Sequence, residues 1–375
     1  MTRPSAEDLV RKALDKAGIR IGGQQPQDIQ VNDPRFYQRV LRQGSLGLGE
    51  AYLDGWWDAP AVDAFITRVL DADIRHGFTL GMGESLHRLR AYLWNLQSRM
   101  RARRAIAAHY DIGNDLFSRM LDPLMNYSCA YWAQARDLAE AQRDKLALIC
   151  RKLALTQGLR VLDIGCGWGG FARYAAEHHG CEVTGLTLSR AQAEYARRAC
   201  RNLPVRIELC DYRDHGAGPF DRIVSIGMFE HVGARNYRDF MRIARRLLKP
   251  DGMMLLHTIG SLTTSRGNDP WLNKYIFPDG ELPSVTQLGR AIEGLLILED
   301  WHNFGPDYDR TLMAWKANFE SAWPDLQAAY GARFYRMWRY YLMLCAGAFR
   351  ARHMQLWQLV LAPPGCRAET YRSVR

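Results

Sequence analysis

With 375 residues, 47% hydrophobic and 24% charged, the sequence has the composition of a globular protein that is long enough for two domains. No apolar run approaches the roughly 20 residues of a membrane-spanning helix, and the first eight residues lack the apolar stretch of a secretory signal, so we expect a cytoplasmic protein. The net charge of +10 favours an anionic partner, such as phospholipid, nucleic acid or an acidic metabolite.

The first part of the chain predicts a small unit of its own. Segment 6–17 is amphipathic and predicts a helix, residues 19–21 form a short strand-like patch, and segment 44–57 is rich in glycine and aromatic residues. Trp56 and Trp57 stand together in this last stretch. Because most paired aromatic residues belong to a core, we interpret them as packing residues in preference to lipid or ligand contacts.

Segment 85–110 contains no acidic residue but six arginines, at positions 88, 90, 99, 101, 103 and 104. Its leucines and Met100 recur at steps of three and four residues, which predicts a helix with one apolar stripe flanked by arginines. Such a helix suits an anionic membrane surface. It equally suits a linker helix packed on a neighbouring domain. Nucleic acid is disfavoured, because no nucleic-acid-binding motif accompanies the arginines.

An aromatic run at 121–132 comes next, followed by a predicted helix at 138–153 and then by a strand and glycine run at 160–170. The glycines predict a sharp turn from strand to helix, where a ligand can approach the backbone and the free N–H groups of the helix. By its position, the aromatic run is expected to lie across the mouth of that ligand pocket.

The glycine spacing fits two cofactors. Gly165, Gly167 and Gly170 match the dinucleotide pattern G-x-G-x-x-G. The D-x-G-x-G-x-G turn of S-adenosylmethionine (AdoMet) methyltransferases is matched by Asp163, Gly165, Gly167 and Gly169. A dinucleotide site needs a carboxylate about 20 residues further on, at the end of the next strand. That strand ends in Thr187 and Ser189 instead, which weakens the dinucleotide hypothesis.

The remaining pattern alternates between apolar runs and helical segments, and it predicts an α/β fold with a doubly wound sheet. Ser189 and Gln192 have the spacing of a capping box for the helix after the second strand. The predicted strands are 160–164, 182–188, 205–210, 221–227, 253–259, 297–303 and 354–362.

Seven sequence blocks in order closely resemble the cyclopropane-fatty-acyl-phospholipid synthases, and the resemblance covers nearly the whole chain. One glycine motif would be weak support, whereas the ordered set is strong support. The blocks are Gly44-Ser-Leu-Gly-Leu-Gly-Glu, His109-Tyr-Asp-Ile-Gly-Asn-Asp, Tyr127-Ser-Cys-Ala-Tyr-Trp, Leu162-Asp-Ile-Gly-Cys-Gly-Trp-Gly-Gly, Gly227-Met-Phe-Glu-His-Val-Gly with Leu256-His-Thr-Ile-Gly, Asp300-Trp-His-Asn-Phe-Gly-Pro-Asp-Tyr and Cys345-Ala-Gly-Ala-Phe-Arg.

The resemblance implies AdoMet-dependent addition of a methylene across the cis double bond of an acyl chain in a membrane phospholipid. It also implies an AdoMet-methyltransferase fold at 106–375, a smaller, mainly helical lipid-associated domain at 1–105 that includes the basic helix, and often a homodimer. We therefore expect a peripheral enzyme that contacts the inner face of the membrane transiently.

The chemistry constrains the residue types. The alkene is a poor nucleophile, so the sulfonium methyl must be held in line with the π-bond. Transfer leaves a carbocation, which aromatic faces stabilise and which water would quench. A base must then remove a proton from the new methyl group so that the ring closes. In the family that the chain resembles, this base is a bound bicarbonate ion.

The anion site of that family carries over onto Glu230, His257 and Tyr308, with backbone groups of Cys129 and Ile259. Tyr308 and His257 can donate to the ion, and Glu230 can accept from its hydroxyl. Cys345 carries over as a further pocket residue, although its thiol is equally credible as packing. Each residue alone has an ordinary structural interpretation, but the set together with the glycine turn favours function.

The AdoMet contacts carry over in the same way. Tyr127 and Ser128 are expected to close over the methionine end. The turn itself contributes Asp163, Gly165 and Gly167. The ribose is expected near Thr187 and Gln192, and the adenine near Asp211 or Tyr212.

No metal is expected, because the eight cysteines include no C-x-x-C pair and should mostly be buried in a reducing compartment. Two alternatives stay open. The same catalytic core could methylate another lipid or a small amine, or the chain could be a non-catalytic membrane-binding protein. The second alternative predicts no AdoMet binding.

Overall fold

The structure is a computed structural model that describes residues 4–74, 113–264, 267–366 and 371–375. The predicted basic helix at 85–110 lies outside the described residues, as does the start of the block at His109. The membrane interpretation of that helix therefore stays a prediction. Within the described part of the chain, no helix combines the length and the apolar character needed to cross a membrane.

The described residues form the following helices and strands, given in chain order. The helices are α1 (Ala6–Lys16), α2 (Arg35–Leu53), α3 (Val62–Asp71), α4 (Asn114–Met120), α5 (Leu138–Lys152), α6 (Gly170–His179), α7 (Arg190–Ala199), α8 (Tyr237–Leu247), α9 (Pro270–Tyr275), α10 (Val285–Ile292) and α11 (Pro306–Arg350). The strands are β1 (Gln30–Val31), β2 (Trp57–Asp58), β3 (Arg160–Ile164), β4 (Glu182–Thr187), β5 (Val205–Leu209), β6 (Phe220–Ile226), β7 (Leu248–Ser261), β8 (Ile297–Asn303) and β9 (Met354–Ala362).

The chain divides into two compact units, and neither is continuous in sequence. Of the described residues, the first unit takes 4–74, 267–278 and 308–354. The second takes 113–264, 279–307, 355–366 and 371–375. The first unit thus includes two segments that come much later than the predicted N-terminal domain. The domain boundary near residue 105 remains a prediction.

In the first unit, the amphipathic segment forms α1, which begins with a capping box between Ser5 and Asp8. The strand-like patch contributes only an isolated bridge between Ile21 and Ile29. Trp57 is fully buried and donates from Nε1 to the carbonyl of Leu48 at 2.9 Å, as a packing residue should. Trp56 differs, since the guanidinium groups of Arg35 and Arg39 lie 4.5 and 4.7 Å from its ring centre.

The second unit is built on a seven-stranded sheet with the order β5-β4-β3-β6-β7-β9-β8. Among β3 to β7, neighbouring strands are parallel. Strand β8 pairs antiparallel with β9. Helices cover both faces, which is why the central strands read as apolar runs. On one face α8 and α10 contribute to the core, and on the other α5 and α6 do so.

Three of the seven predicted strands have the observed bounds, and three more differ by no more than one residue at either end. Only β7 differs by more, since it begins at Leu248 and not near 253. Its first residues include Pro250 and Gly252, which are typical of a turn, and the β6–β7 register shifts there. The doubly wound α/β fold is therefore confirmed. Between β3 and β6 the strand order reverses, and such a crevice at the carboxyl ends of the strands is where open α/β sheets bind ligands.

Candidate active site

The glycine run after β3 forms the floor of the candidate site. Gly165, Gly167 and Gly169 have φ angles of 88°, 53° and 86°, a region that residues with a Cβ rarely adopt. A Cβ on Gly165 would also lie 2.6 Å from the side chain of Met228. The turn therefore requires glycine for both conformation and space, and it leads directly into the first turn of α6.

One pocket lies above this turn in the second unit. Its lining comes from the ends of β3, β4 and β6, from the residues that follow β5, and from segment 125–128. The aromatic run thus reaches the pocket, as its position predicts. The pocket brings together all the residues that carry over as AdoMet contacts, namely Tyr127, Ser128, Asp163, Gly165, Gly167, Thr187, Gln192, Asp211 and Tyr212.

The end of β4 carries hydroxyl and amide groups where a dinucleotide site would have an acid. Thr187 Oγ1 donates to Gln192 Oε1 at 3.0 Å, and both residues are buried. Ser189 caps α7 by accepting from the Gln192 N–H at 3.3 Å. The second bond of the predicted capping box is absent, because the Ser189 N–H donates to Thr187 Oγ1 at 3.2 Å instead. The Gln192 side chain points to Thr187, so its amide nitrogen can still donate to a ligand hydroxyl.

Beyond β5, Asp211 and Tyr212 line the same pocket in different ways. The Asp211 carboxylate accepts two bonds from the Arg213 guanidinium, at 2.8 and 2.6 Å, so most of its acceptor capacity is already used. The Tyr212 ring packs edge-on against Phe240, with ring centres 5.2 Å apart. Of the two residues predicted for the adenine, Tyr212 offers the flat apolar surface.

Glu230 lies in the short 3-10 turn Phe229–His231 that follows β6. Its Oε1 accepts from the backbone N–H of Ile259 at 2.7 Å, whereas Oε2 is buried and has no hydrogen-bond partner. Burial raises the pKa of Glu230 to about 7, and the Ile259 N–H lowers it by a smaller amount. The arrangement presents a fixed carboxylate oxygen that is ready to accept one more hydrogen bond.

His257 lies on β7 opposite Ile226 of β6, and the parallel register places it beside the turn that carries Glu230. Its Nδ1 is 3.3 Å from the Gln358 side-chain nitrogen on β9, and its Nε2 is buried without a partner. Burial, with the charges of Lys145 and Lys152, holds the pKa of His257 well below its usual range. When Gln358 donates to Nδ1, the neutral ring carries its hydrogen on Nε2.

The remaining residues predicted for the anion site differ in their placement. The Ile259 backbone is occupied, because its N–H binds Glu230 and its carbonyl accepts from Thr258 at 3.1 Å. Ile259 therefore positions Glu230 and does not present a free N–H. Cys129 is fully buried, and its thiol donates to the carbonyl of Ala130 at 3.2 Å.

Tyr308 and Cys345 belong to the first unit. Within that unit the Tyr308 ring packs against Phe349, with ring centres 4.6 Å apart. Cys345 is buried, and burial raises the pKa of its thiol. The roles that the resemblance gives to these two residues stay predictions.

Three residues near these groups were not predicted. Gln358 contacts His257, and Asn126 and Lys145 lie beside Ser128. Gln358 had a signal, since it is one of two glutamines within the largely apolar run of β9. Lys145 had none, because a lysine in an amphipathic helix is ordinarily a surface residue.

The described residues also include one group that could hold a metal ion. Ligand atoms of Glu208, Cys210 and His215 lie within 4.8 Å of one another at the end of β5. No sequence pattern predicted this group. Metal independence therefore stays a prediction. The burial of the cysteines is as expected, since six of the eight are buried.

Both implied groups pass a test of fit. Glu230 Oε2 and His257 Nε2 form a buried acceptor and a buried donor that lack partners, which suits a small anion with one hydroxyl, such as bicarbonate. The turn leaves open space over Gly167 just before α6, and a Thr–Gln pair lies at the next strand end. That cradle suits the polar tail and the ribose of AdoMet.

Comparison with known proteins supports the same interpretation. Residues 97–359 match the family model described as mycolic acid cyclopropane synthetase. The cyclopropane-fatty-acyl-phospholipid synthase of Escherichia coli K12 is 53% identical over 354 residues, which is 94% of this chain and 92% of that protein.

Solved structures show the same fold. Cyclopropane synthase MmaA2 from Mycobacterium tuberculosis aligns with 34% identity and a TM-score of 0.65, covering 69% of this chain and 98% of its own. Mycolic acid cyclopropane synthase CmaA1, complexed with SAH and CTAB, gives 34% identity and a TM-score of 0.65, covering 69% and 97%. With the glycine turn, the pocket and these matches in agreement, the chain belongs to the cyclopropane-fatty-acyl-phospholipid synthase family of AdoMet-dependent methyltransferases.

Proposed function

We propose that this protein adds a methylene from AdoMet across the cis double bond of an acyl chain in a membrane phospholipid. The E. coli synthase supports the substrate class, because the similarity extends over 94% of the chain. The net charge of +10 supports an anionic lipid surface as the place of reaction. Transient contact with the membrane and a homodimer are part of this proposal.

The pocket residues would hold AdoMet, which supplies an electrophilic methyl group on a sulfonium. The Gly165 turn lets the ligand lie against the backbone, and the Ser128 hydroxyl can donate to its carboxylate end. Gln192 and Thr187 can bind the ribose hydroxyls, and the Tyr212 ring can flank the adenine. Fixing both ends of the ligand orients the methyl group, which is the main catalytic contribution available for a poor nucleophile.

Aromatic rings around His257 suit a cationic intermediate on the acyl chain. The Phe304 ring centre lies 5.8 Å from that of His257, and the Tyr131 ring lies 5.3 Å from Phe304. Ring faces stabilise positive charge and exclude water without acting as nucleophiles. His257 itself stays neutral, since burial lowers its pKa, so it adds no repulsive charge.

The observation that carries the proposal is the pair of buried polar atoms without partners, Glu230 Oε2 and His257 Nε2. A bicarbonate ion there would supply the base. Glu230 would accept from its hydroxyl, and His257 would donate to one of its oxygens. The Ile259 N–H fixes the carboxylate that orients the ion. Such an arrangement removes a proton without an ionised side-chain base in a dry pocket.

Incubation of the protein with vesicles of unsaturated phospholipid and AdoMet carrying a CD3 group tests the proposal. Ring formation adds one carbon to the acyl chain, removes the alkene and retains two of the three deuterium atoms, because the base takes one. A saturated methyl-branched product would keep all three deuterium atoms. Either that product or a methyl-branched alkene would contradict ring formation and would make the protein a lipid methyltransferase of the same family. Methylation of a small amine in place of lipid would overturn the lipid assignment.

A further inference from the structure

Lys145 places a fully buried amine directly behind the cofactor pocket. It lies on α5, and its side chain has no exposed surface. Its Nζ donates to Ser128 Oγ at 2.9 Å and to Asn126 Oδ1 at 3.3 Å. Both acceptors line the pocket.

The hydrogen-bond chemistry of lysine fixes how these two neighbours are oriented. An ammonium group has donors only, so Ser128 Oγ must accept from Lys145 and its own hydrogen is left to be donated elsewhere. Asn126 must present its oxygen to Lys145, which turns its nitrogen towards Asp122, where it donates at 2.9 Å. Lys145 thus gives Ser128 a defined donor direction.

The same face of α5 holds the backbone of this segment. Gln142, three residues before Lys145 on the helix, donates to the carbonyls of Ser128 at 2.9 Å and Asn126 at 3.3 Å. Asp122 accepts from the Asn126 N–H at 2.7 Å. Segment 126–128 is therefore held by Gln142 and Lys145 of α5 and by Asp122.

Charge near Lys145 is balanced by acids. Burial lowers the pKa of Lys145 to about 8, and the carboxylates of Asp122 and Asp163 act in the opposite direction. Burial raises the pKa of Asp163 to about 7, which the Lys145 charge opposes. Asp163 lines the same pocket and precedes the glycine turn.

We propose that Lys145 is a positioning residue that holds segment 126–128 and aims the Ser128 hydroxyl at the carboxylate end of AdoMet. This inference rests on the assignment of the pocket to AdoMet. Lys145 contacts no reacting atom, but it sets the orientation of Ser128, which binds the cofactor.

Lys145→Met tests the proposal, because it keeps the length of the side chain and removes the donors. We expect AdoMet to bind about 10- to 100-fold more weakly in calorimetry, with KM for AdoMet rising more than kcat falls. Ser128→Ala should weaken binding as well. The double variant should lose no more than the weaker-binding single variant, because both changes remove the same contact.

Lys152→Met is the matched control. Lys152 is also fully buried on α5, but it pairs with Asp300 at 3.1 Å, away from the pocket lining. This variant should lower the unfolding temperature and leave AdoMet affinity unchanged. If Lys145→Met is not folded by circular dichroism, Lys145→Gln keeps one donor and should give an intermediate affinity.

The outcomes separate two kinds of failure. A wild-type protein that does not bind AdoMet would overturn the pocket assignment itself. Wild-type affinity in a folded Lys145 variant would overturn only the positioning role. Additive losses in the double variant would also overturn it, because Lys145 would then act independently of Ser128.

Discussion

The backbone N–H of Ile259 donates to Glu230 Oε1 at 2.7 Å, which leaves Oε2 of the same carboxylate buried and without a partner. Oε1 thus fixes the orientation of the side chain, and Oε2 remains able to accept a hydrogen bond from a ligand. A carboxylate held in this way can act only towards a group that enters the site, and that group must bring a hydrogen-bond donor.

Glu230→Gln should lower kcat by about 10²- to 10⁴-fold, with AdoMet affinity nearly unchanged. The amide keeps the shape of the side chain but can place an N–H where Oε2 must accept. Measuring kcat and the AdoMet dissociation constant on one preparation checks this expectation. Glu293→Gln is the control, because Glu293 is exposed. Equal losses in kcat and AdoMet affinity would instead make Glu230 a cofactor ligand.

Activity should require bicarbonate and should not require a metal ion. The buried acceptor and donor at Glu230 and His257 suit the anion. Turnover should therefore fall in carbonate-free buffer and return when bicarbonate is added, while EDTA should have no effect. The EDTA assay tests metal independence directly, because Glu208, Cys210 and His215 form a group that could hold a metal ion. Full turnover without carbonate would remove the anion from the mechanism.

The rate should fall as pH drops below about 7. Burial raises the pKa of Glu230 to about 7, and the protonated acid donates where it should accept. Assays from pH 6 to 8.5 at constant bicarbonate ion concentration check this fall in rate at low pH. The rate of Glu230→Gln should not show this pH dependence, because the amide does not titrate. A wild-type rate that is flat across this range would contradict the assignment.

The same pKa shift has a consequence for stability, with the sign set by proton binding. Folded Glu230 holds its proton more tightly than the unfolded side chain, whose pKa is near 4.5. Its contribution to the free energy of unfolding is therefore fully present below pH 4.5 and is lost as pH rises through about 7. Urea unfolding should show that the stability of Glu230→Gln increases relative to that of wild type as pH rises from 4.5 to 7.

Gln358→Leu should lower kcat and raise the KM for bicarbonate, together by about 3- to 10-fold in kcat/KM. Without the Gln358 amide, His257 Nδ1 loses the neighbour that keeps the hydrogen on Nε2. Gln355→Leu is the matched control on the same strand, since Gln355 bonds Asn303 at 2.9 Å. Similar kinetics in both variants would show that the effect is loss of packing.

Gly260→Ala should be destabilising by about 1–3 kcal/mol, because a Cβ there would lie 2.1 Å from the buried Trp357 ring. Gly289→Ala is the counterpart, since the space around this position in α10 is open. Alanine should stabilise that helix by about 0.5–1 kcal/mol. Thermal unfolding of both variants checks the pair, and a lower unfolding temperature for Gly289→Ala would contradict the expectation.

The sequence predicted the sheet well because buried parallel strands are apolar runs separated by turn residues. It failed at the start of β7, where Pro250 and Gly252 resemble a loop although the chain is already extended. The AdoMet-pocket residues were found through the glycine motif and the family resemblance. All of them line one pocket, although their contacts with the cofactor remain predictions.

What the sequence did not show depends on tertiary structure. Nothing in the residue string distinguishes Lys145, which is fully buried, from an exposed helix lysine. The spare oxygen of Glu230 arises only because β7 brings the Ile259 N–H to its partner. Similarly, Gln358 meets His257 only because β9 inserts beside β7, which no local pattern encodes.

The place of β9 in the sheet, between β7 and β8, has a consequence for biosynthesis. The ribosome delivers β7 and β8 long before residues 354–362, so a nascent chain exposes the unpaired edge of β7, rich in Met and Leu, until the last strand emerges. Such an edge invites pairing with another chain. Premature termination before residue 354 should therefore yield aggregates and not a smaller working enzyme, and chaperone demand should be greatest late in translation.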